Sequence, residues 1–218
     1  MPKRPQQPHF PITANPVHIT YRLAGSVPVK TLHKLQTKRD EQLNSIQIRL
    51  QQTSNPEDQK SLRNQLYQTS VKFELAIDEI LDSIKQGHFY LHRPPVQKII
   101  MDSWLKLHRD QDIYLIAICV MGNHVHVIVK SSEPDESVDI GKLMDRHKTF
   151  TARESNKHLG RTGRPFWAKG YFDRTIRSGR FARALEYVVD NPVKAGIVNH
   201  WREWEGTFVD SKYQTYLG

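Results

Sequence analysis

Two histidines separated by one residue, His124 and His126, have a type and spacing that suggest a chemical site. They fall in a run of β-branched residues, where side chains alternate between the two faces of a strand. Both imidazoles would then project from one face, while Val125 and Val127 project into the apolar layer. Such a pair can hold one metal ion. A pair of hydrogen-bonded surface histidines is the alternative, and two ligands alone do not complete a metal site.

Tyr187 is a candidate nucleophile because its helix carries polar side chains on either side of it. Arg183 lies one turn before Tyr187 and Asn191 one turn after it, on the same face. A guanidinium can bind phosphate, an amide oxygen can complete a metal site, and a phenol can attack phosphorus. The alternative is a half-exposed tyrosine that covers the edge of the core.

The hydropathy pattern predicts the elements that must position these residues. Alternating apolar residues predict strands, and apolar residues at three- and four-residue steps predict helices. The predicted strands are 17–23, 113–120, 124–129 and 171–176, and the predicted helices of the same region are 96–109, 138–158 and 181–191. The short turn at 121–123 predicts an antiparallel hairpin at the centre of the sheet. The order of elements predicts an α+β fold, with helices packed on an antiparallel sheet.

Two further segments complete the domain organisation. Residues 1–16 contain five prolines and no core pattern, which predicts an extended, disordered tail. Apolar residues at helical spacing predict a helical hairpin over residues 34–86, inserted after the first strand and with its turn at Asn55-Pro56. Residues 17–218 are therefore expected to form one domain that contains this insertion.

The basic charge of the chain is concentrated in one segment. The whole sequence has 32 Lys and Arg against 23 Asp and Glu, a formal net charge of +9. Residues 142–183 contain twelve basic and three acidic residues, so this segment alone carries the whole excess. The distribution is typical of a face that binds a polyanion, although a solvated helix face gives the same composition.

The composition excludes a membrane protein and favours a cytoplasmic one. The longest apolar run, residues 114–121, is far shorter than the roughly 18 residues of a spanning helix. Cys119 is the single cysteine, so no internal disulfide can form, and the N-terminus lacks the apolar region of a secretory signal.

Four stretches of the sequence, taken together, resemble the REP-associated tyrosine transposases, which belong to the single-tyrosine HUH transposases of bacterial insertion sequences. They are HITYRLAGS (18–26), VMGNHVHVIV (120–129), FWAKGYFDRTIR (166–177) and YVVDNPVKAGIV (187–198). The resemblance runs in order from about residue 16 to residue 205. It implies an HUH endonuclease-like, ferredoxin-like sandwich and a bacterial, nucleoid-associated protein.

The resemblance also implies roles for individual residues. His124 and His126 would bind a divalent metal ion, Tyr187 would attack DNA, and Asn191 would complete the metal site. The ion would be Mg²⁺ or Mn²⁺: ligand softness favours manganese, whereas magnesium is more abundant and is expected to serve in cells. Gly122 stands where the family usually has proline, and Ala168 where it commonly has glutamine. Neither change removes a catalytic group.

The implied reaction is transesterification on single-stranded or hairpin, REP-like DNA, through a 5′-phosphotyrosine intermediate. Basic side chains would follow the DNA backbone, and aromatic side chains would stack on unpaired bases. The expected DNA ligands are Lys148, Arg153, Arg161, Arg164, Trp167, Lys169, Arg174, Arg177 and Arg183, with Phe166 and Tyr171 as further stacking residues. Members of the family occur as monomers and as homodimers, so the resemblance leaves the oligomeric state open.

Two other functions are open at this stage. A domesticated regulator would keep the scaffold and bind nucleic acid without cutting it. A two-histidine phosphoesterase would use His147-Lys148-Thr149 as its second motif. That triplet is predicted on a helix, whereas such an enzyme needs two facing strands.

Overall fold

One antiparallel sheet organises the protein. The computed structural model describes residues 11–84 and 87–217. Five strands pair in the order β4-β1-β3-β2-β5. They are β1 (Val17–Arg22), β2 (Tyr114–Val120), β3 (His124–Lys130), β4 (Phe172–Thr175) and β5 (Thr207–Val209). The predicted α+β class and the central β2–β3 hairpin are confirmed, and β5 is an additional edge strand that the sequence pattern did not indicate.

The described residues also contain helices, which come between most of the strands in sequence order. They are α1 (Val29–Gln52), α2 (Pro56–Ser83), α3 (Pro94–Arg109), α4 (Ile140–His158), α5 (Phe181–Val189) and α6 (Asn191–Lys194), with 3-10 helices at Tyr90–His92, Trp201–Glu203 and Ser211–Tyr216. Asp139 starts α4 by accepting a hydrogen bond from the backbone N–H of Lys142 at 3.0 Å. Within the described ranges, no helix combines the length and the apolar content that a membrane span requires.

The long helices α1 and α2 form a compact unit of their own, Gly25–Gly87. Asn55 caps α2 by accepting from the backbone N–H of Glu57 at 2.9 Å, and Pro56 occupies the first helical turn. Inside the unit, the guanidinium of Arg39 lies 4.4 Å from the ring centroid of Phe73. The helical segment begins at Val29 rather than at residue 34, and residues 85 and 86 of the predicted hairpin lie outside the described residues.

The prediction of a disordered tail through residue 16 is wrong for its last residues. Ile12 is completely buried and exchanges two backbone hydrogen bonds with Val138, at 2.9 and 2.8 Å. The carbonyl of Pro16 accepts a hydrogen bond from the backbone N–H of Ile176 at 2.7 Å. These partners lie more than 120 residues away in the sequence, so no local pattern announces them. Residues 1–10 lie outside the described part of the chain.

The two faces of the sheet bury different groups. On one face, apolar residues of β1, β2 and β3 pack against α3 and α4, with Val17, Ile19 and Tyr21 from β1. On the other face, Ile116, Ile128 and other apolar residues pack against α5. Since side chains alternate along a strand, the even-numbered residues of β1 and β3 share the face that is covered by α5.

A polar network is buried on the α3–α4 side. The indole N–H of Trp104 donates to the Tyr21 hydroxyl at 2.8 Å, and this hydroxyl lies 2.7 Å from His147 Nε2. His147 Nδ1 lies 2.8 Å from Ser103 Oγ. The network therefore assigns the proton of His147 to Nδ1, with Nε2 accepting from the tyrosine. Every ring nitrogen has a partner, which makes His147 a structural residue.

The buried His147 is expected to make the stability of the fold sensitive to acid. Burial lowers its pKa to about 3, so on acidification the unfolded chain takes up the proton first. This contribution to stability is present above pH ~6.5 and is lost as the pH falls towards 3, with a slope of up to about 1.4 kcal/mol per pH unit. We expect the free energy of unfolding of His147→Gln to depend less steeply on pH between 7 and 5, measured by urea unfolding. Parallel curves for the two proteins would contradict this role.

Candidate active site

The predicted histidine pair lies on the sheet face that α5 covers. His124 and His126 are 1% and 0% exposed, and their ring centroids are 4.7 Å apart with the rings nearly perpendicular. Val125 and Val127 point into the opposite apolar cluster, as alternation predicts. The two imidazoles are therefore neighbours, and they are buried rather than on the surface.

Hydrogen bonds orient both rings through the same nitrogen. His124 Nδ1 lies 2.6 Å from the side-chain oxygen of Asn123, and His126 Nδ1 lies 3.1 Å from both His18 Nε2 and Thr20 Oγ1. The Nε2 atom of His126 is buried and has no hydrogen-bond partner among the described residues. A buried imidazole nitrogen in this state fits a metal ion, which would use its lone pair.

Electrostatics favours neutral rings. Burial lowers the pKa of His18 and of His124 to about 3, and the positive charge of Arg174 adds to the effect at His18. Burial also holds the pKa of His126 well below its usual range. Electrostatic interactions with His124, His18, Lys194 and Arg174 lower this pKa further. Neutral imidazole is the form that coordinates metal, so no proton needs to be displaced near neutral pH.

Tyr187 reaches this pair from α5. Its ring lies edge-on to His126 with centroids 5.8 Å apart, and edge-on to His18 at 6.0 Å. The ammonium of Lys194 lies 4.6 Å from the centroid of the same ring. One chain thus supplies the histidines, the tyrosine and a cation to a single site.

Asn191 lies close to Tyr187, but it is not on the same helix as the sequence predicted. It begins the short helix α6 rather than extending α5, and it is 1% exposed. Its amide nitrogen donates to the backbone carbonyls of Tyr187 at 2.8 Å and Val188 at 3.3 Å, which ties down the end of α5. The described residues contain no cluster of three or more His, Cys, Asp or Glu that could hold a metal ion. The role of Asn191 as third ligand therefore stays a prediction.

One predicted DNA ligand, Arg174, lies beside the site, and Arg161 and Arg153 contact neighbouring side chains. Arg174 pairs in register with His18 on the neighbouring strand, on the same sheet face. Arg161 lies over the ring of Tyr90 at 4.2 Å, and Arg153 pairs with the carboxylate of Glu154 at 2.8 Å. The exposed members of the set are Arg153, Arg164, Lys169, Arg177 and Arg183.

Lys148 has an internal function. Its ammonium donates to the carbonyls of Ala168 at 2.9 Å and Gly170 at 2.8 Å, and burial lowers its pKa to about 8. Two of its three donors are therefore engaged with the backbone. The contact holds the loop from which Lys169 projects into solvent.

The predicted base-stacking role of Trp167 is wrong. The side chain is 9% exposed, its indole N–H donates to Thr151 Oγ1 at 2.9 Å, and its ring meets that of Tyr21 at 4.8 Å. Phe166 is likewise buried, at 3% exposed. Both rings belong to the α3–α4 core, where the large apolar surface of an aromatic residue is more stable than in water.

The phosphoesterase hypothesis also fails on geometry. It needs His147 to face His124 and His126, but His147 lies in the buried network with Tyr21 on the opposite side of the sheet. The histidine that does join the pair is His18, with Thr20 beside it. His18 and Thr20 alternate with apolar residues in the predicted first strand, and this alternation could have placed both on the face of the histidine pair. Lys194 could have been noticed because it lies in the stretch 187–198, which carries Tyr187.

Gly122 has a structural explanation. It lies in the turn before Asn123 and His124, and a Cβ atom at this position would come 2.7 Å from Cδ1 of Phe89. The Gly122 carbonyl accepts a hydrogen bond from the backbone N–H of Leu91 at 3.2 Å. Glycine therefore lets the Phe89 ring pack on the turn that carries the histidine pair.

Comparison with known proteins places the chain in a family. The model of the IS200-like transposases matches residues 83–191, a range that contains both histidines, Tyr187 and Asn191. A curated Haemophilus influenzae protein named as a REP-associated tyrosine transposase is 27% identical over 97 residues, which cover 41% of this chain and 54% of the relative. This chain thus matches about half the length of that relative.

A solved structure shares the fold. It is a REP-associated tyrosine transposase bound to a REP hairpin, with a TM-score of 0.52 and 14% sequence identity, and the match covers 93% of this chain and 81% of the other. The resemblance indicated by the four sequence stretches is confirmed by these matches. Because the family model covers half of the sequence and includes the histidine pair and the tyrosine, this protein belongs to the IS200-like transposase family.

Proposed function

We propose that this protein is a metal-dependent transposase that cleaves and rejoins single-stranded DNA through a covalent bond to Tyr187. The observation that carries the proposal is the contact between the Tyr187 ring and His126, with centroids 5.8 Å apart inside one chain. A tyrosine beside two neutral imidazoles that can hold a metal ion suits phosphoryl transfer, because this reaction depends mainly on positioning and charge neutralisation.

The reaction exchanges one phosphodiester bond for another. The hydroxyl oxygen of Tyr187 attacks the phosphorus, the bond from phosphorus to the 3′ oxygen breaks, and a 5′-phosphotyrosine forms. The phenolic proton is lost to solvent, and the departing 3′ oxygen takes up a proton to become a hydroxyl. Attack of a 3′-hydroxyl on the phosphotyrosine reverses these steps and rejoins DNA without a nucleotide cofactor.

His124 and His126 would hold a Mg²⁺ or Mn²⁺ ion through Nε2, with Asn191 as a third ligand. A bound divalent ion supplies positive charge to the phosphate oxygens. The chain adds its own charges, because Arg174 and Lys194 both lie near enough to His126 to lower its pKa. Arg174 lies opposite His18 on the same sheet face, and the Lys194 ammonium lies 4.6 Å from the centroid of the Tyr187 ring, so both cations would add positive charge beside the attacked phosphate.

A DNA hairpin with single-stranded flanks is the proposed substrate. The solved relative is bound to a REP hairpin, and the exposed basic residues of this chain follow one another along the segment 142–183. Unpaired DNA is favoured because the phosphate must come within reach of Tyr187, which is half-buried beside His18 and His126.

Detection of a covalent adduct tests the proposal. The protein is incubated with Mn²⁺ and labelled single-stranded DNA that contains hairpins from the flanks of its own coding region, and the products are separated on a denaturing gel. We expect a labelled band at the mass of protein plus DNA, which disappears when EDTA is present. A protein that binds this DNA tightly but never forms the band would be a DNA-binding regulator, and the proposal would be wrong.

Salt dependence provides a test of the DNA-binding face. Binding through phosphates releases counterions, and each contact with a single strand contributes about 0.7 to the slope of log K against log salt. Neutralising Arg161, Arg164 and Arg174 together to Gln is therefore expected to reduce the slope by about 2. Fluorescence anisotropy at several salt concentrations measures it. An unchanged slope would mean that the DNA lies on another face.

A further inference from the structure

His18 contacts both His126 and Tyr187, although none of the reaction steps above uses it. It is on β1, which pairs with β3 so that Thr20 is directly opposite His126. His18, Thr20 and His126 therefore share one sheet face, and they are 6%, 5% and 0% exposed. The His18 ring stacks on that of His126 with centroids 5.2 Å apart.

Three polar atoms of these residues form a closed triangle. His126 Nδ1 lies 3.1 Å from His18 Nε2 and 3.1 Å from Thr20 Oγ1, and Thr20 Oγ1 lies 3.4 Å from His18 Nε2. Only one nitrogen of His126 takes part. The other, Nε2, is buried without a hydrogen-bond partner among the described residues.

We propose that His18 is a positioning residue that keeps the proton of His126 on Nδ1, so that Nε2 presents its lone pair to the metal ion. The proposal rests on the role of His126 as a ligand under the proposed function. It assigns His18 a function through His126, without direct contact between His18 and the ion.

The assignment follows from the proton count of a neutral imidazole, which carries one N–H. With the proton on Nδ1, His126 donates to His18 Nε2, and Nε2 of His126 is free of hydrogen. With the proton on Nε2, a buried N–H would have no acceptor among the described residues, and the lone pair for metal would be lost. An acceptor at the position of His18 Nε2 therefore selects the tautomer that can bind metal.

His18 also contacts the nucleophile. Its ring lies edge-on to Tyr187 with centroids 6.0 Å apart, while His126 lies 5.8 Å from the same ring. The stack of the two imidazoles thus forms one wall against which the phenol packs. Holding the His126 ring in place also holds the surface that positions Tyr187.

Matched substitutions separate the hydrogen bond from packing. His18→Leu keeps a side chain of similar size but offers no acceptor, whereas His18→Gln places an amide oxygen near the position of Nε2. Calorimetry with Mn²⁺ on the DNA-free protein is expected to show a 10- to 100-fold loss of affinity in His18→Leu. His18→Gln is expected to restore most of that affinity. Thr20→Val removes the other atom within 3.1 Å of His126 Nδ1, and a loss as large as that in His18→Leu would contradict the assignment of the tautomer to His18.

A second measurement does not depend on metal or activity. Nitrogen-15 NMR of the imidazole side chains in the metal-free protein reports which nitrogen of His126 carries the proton. We expect Nδ1–H in the parent protein and in His18→Gln, and a mixture of tautomers in His18→Leu. Circular dichroism and thermal unfolding establish that each variant is folded.

The outcomes distinguish this proposal from the proposed function. Parent-like Mn²⁺ affinity, or an unchanged His126 tautomer, in a folded His18→Leu protein would overturn the role of His18. Equal losses in the Leu and Gln variants would also overturn it, because packing alone would then explain them. If the parent protein binds no Mn²⁺, the metal site of the proposed function fails, and the tautomer measurement still decides the role of His18.

Discussion

A Tyr187→Phe variant is expected to bind hairpin DNA and Mn²⁺ as the parent protein does and to form no covalent adduct. Phenylalanine keeps the ring, and with it the edge contacts to His126 at 5.8 Å and His18 at 6.0 Å. It lacks the oxygen that attacks phosphorus, so only the chemical step is removed. Anisotropy and calorimetry measure the two binding steps, and a denaturing gel measures the adduct.

Tyr213→Phe is the matched control for this experiment. Tyr213 also packs in an aromatic cluster, with ring centroids 5.4 Å from Phe181 and 6.3 Å from Tyr216, but it has no contact with the histidine pair among the described ring contacts. We expect the control to form the adduct at the parent level. An adduct that persists in Tyr187→Phe would contradict the choice of nucleophile.

A His126→Ala variant is expected to lose Mn²⁺ binding and nearly all cleavage. The substitution removes the buried Nε2 that fits the ion, and it leaves the phosphate charge without its main neutralising group. Loss of a catalytic metal ion raises a barrier by several kcal/mol, which corresponds to at least about a 100-fold slower reaction. Calorimetry gives the affinity, and the rate of adduct formation gives the barrier.

Two further alanine variants define the specificity of that effect. His158→Ala removes an exposed histidine at the end of α4 and is expected to change neither Mn²⁺ affinity nor rate. Asn191→Ala should weaken metal binding less than His126→Ala, since it removes one amide oxygen and leaves both imidazoles. Unchanged Mn²⁺ affinity in His126→Ala would exclude the proposed metal site.

Periodicity predicted most of the sheet and the histidine pair because those features are local. Alternation in β3 separates His124 and His126 from Val125 and Val127, and the structure has the two sets on opposite faces. The sequence also indicated Tyr187 as a candidate nucleophile, through its polar neighbours Arg183 and Asn191. Its contact with His126 depends on how α5 crosses the sheet, which a sequence pattern does not contain.

Burial explains why Trp167 and Lys148 make internal contacts that the sequence did not indicate. Trp167 lies in the basic segment and was expected to stack on unpaired bases, but its indole is enclosed by Tyr21 and Thr151. Lys148 belongs to the basic segment, yet its charge serves the carbonyls of Ala168 and Gly170. In both cases the partner is distant in sequence, so composition alone could not identify it.

Long-range pairing explains the remaining differences. Ile12 pairs with Val138, and β5 pairs with β2 through partners such as Phe208 and Ile118. Strands of one to three residues are too short to show an alternating hydropathy pattern. Their pairing depends on which sheet edges the longer strands leave unpaired. The contact of His18 with His126 also depends on long-range pairing, because it requires the register between β1 and β3. The local sequence therefore did not indicate it.

The most direct test of the central claim is to locate the DNA linkage by mass spectrometry. The parent protein is trapped with a short DNA hairpin and Mn²⁺, digested with protease and nuclease, and its peptides are sequenced. We expect a phosphotyrosyl nucleotide on the peptide that contains Tyr187 and on no other. A linkage at a different tyrosine, such as Tyr171 or Tyr213, would contradict it.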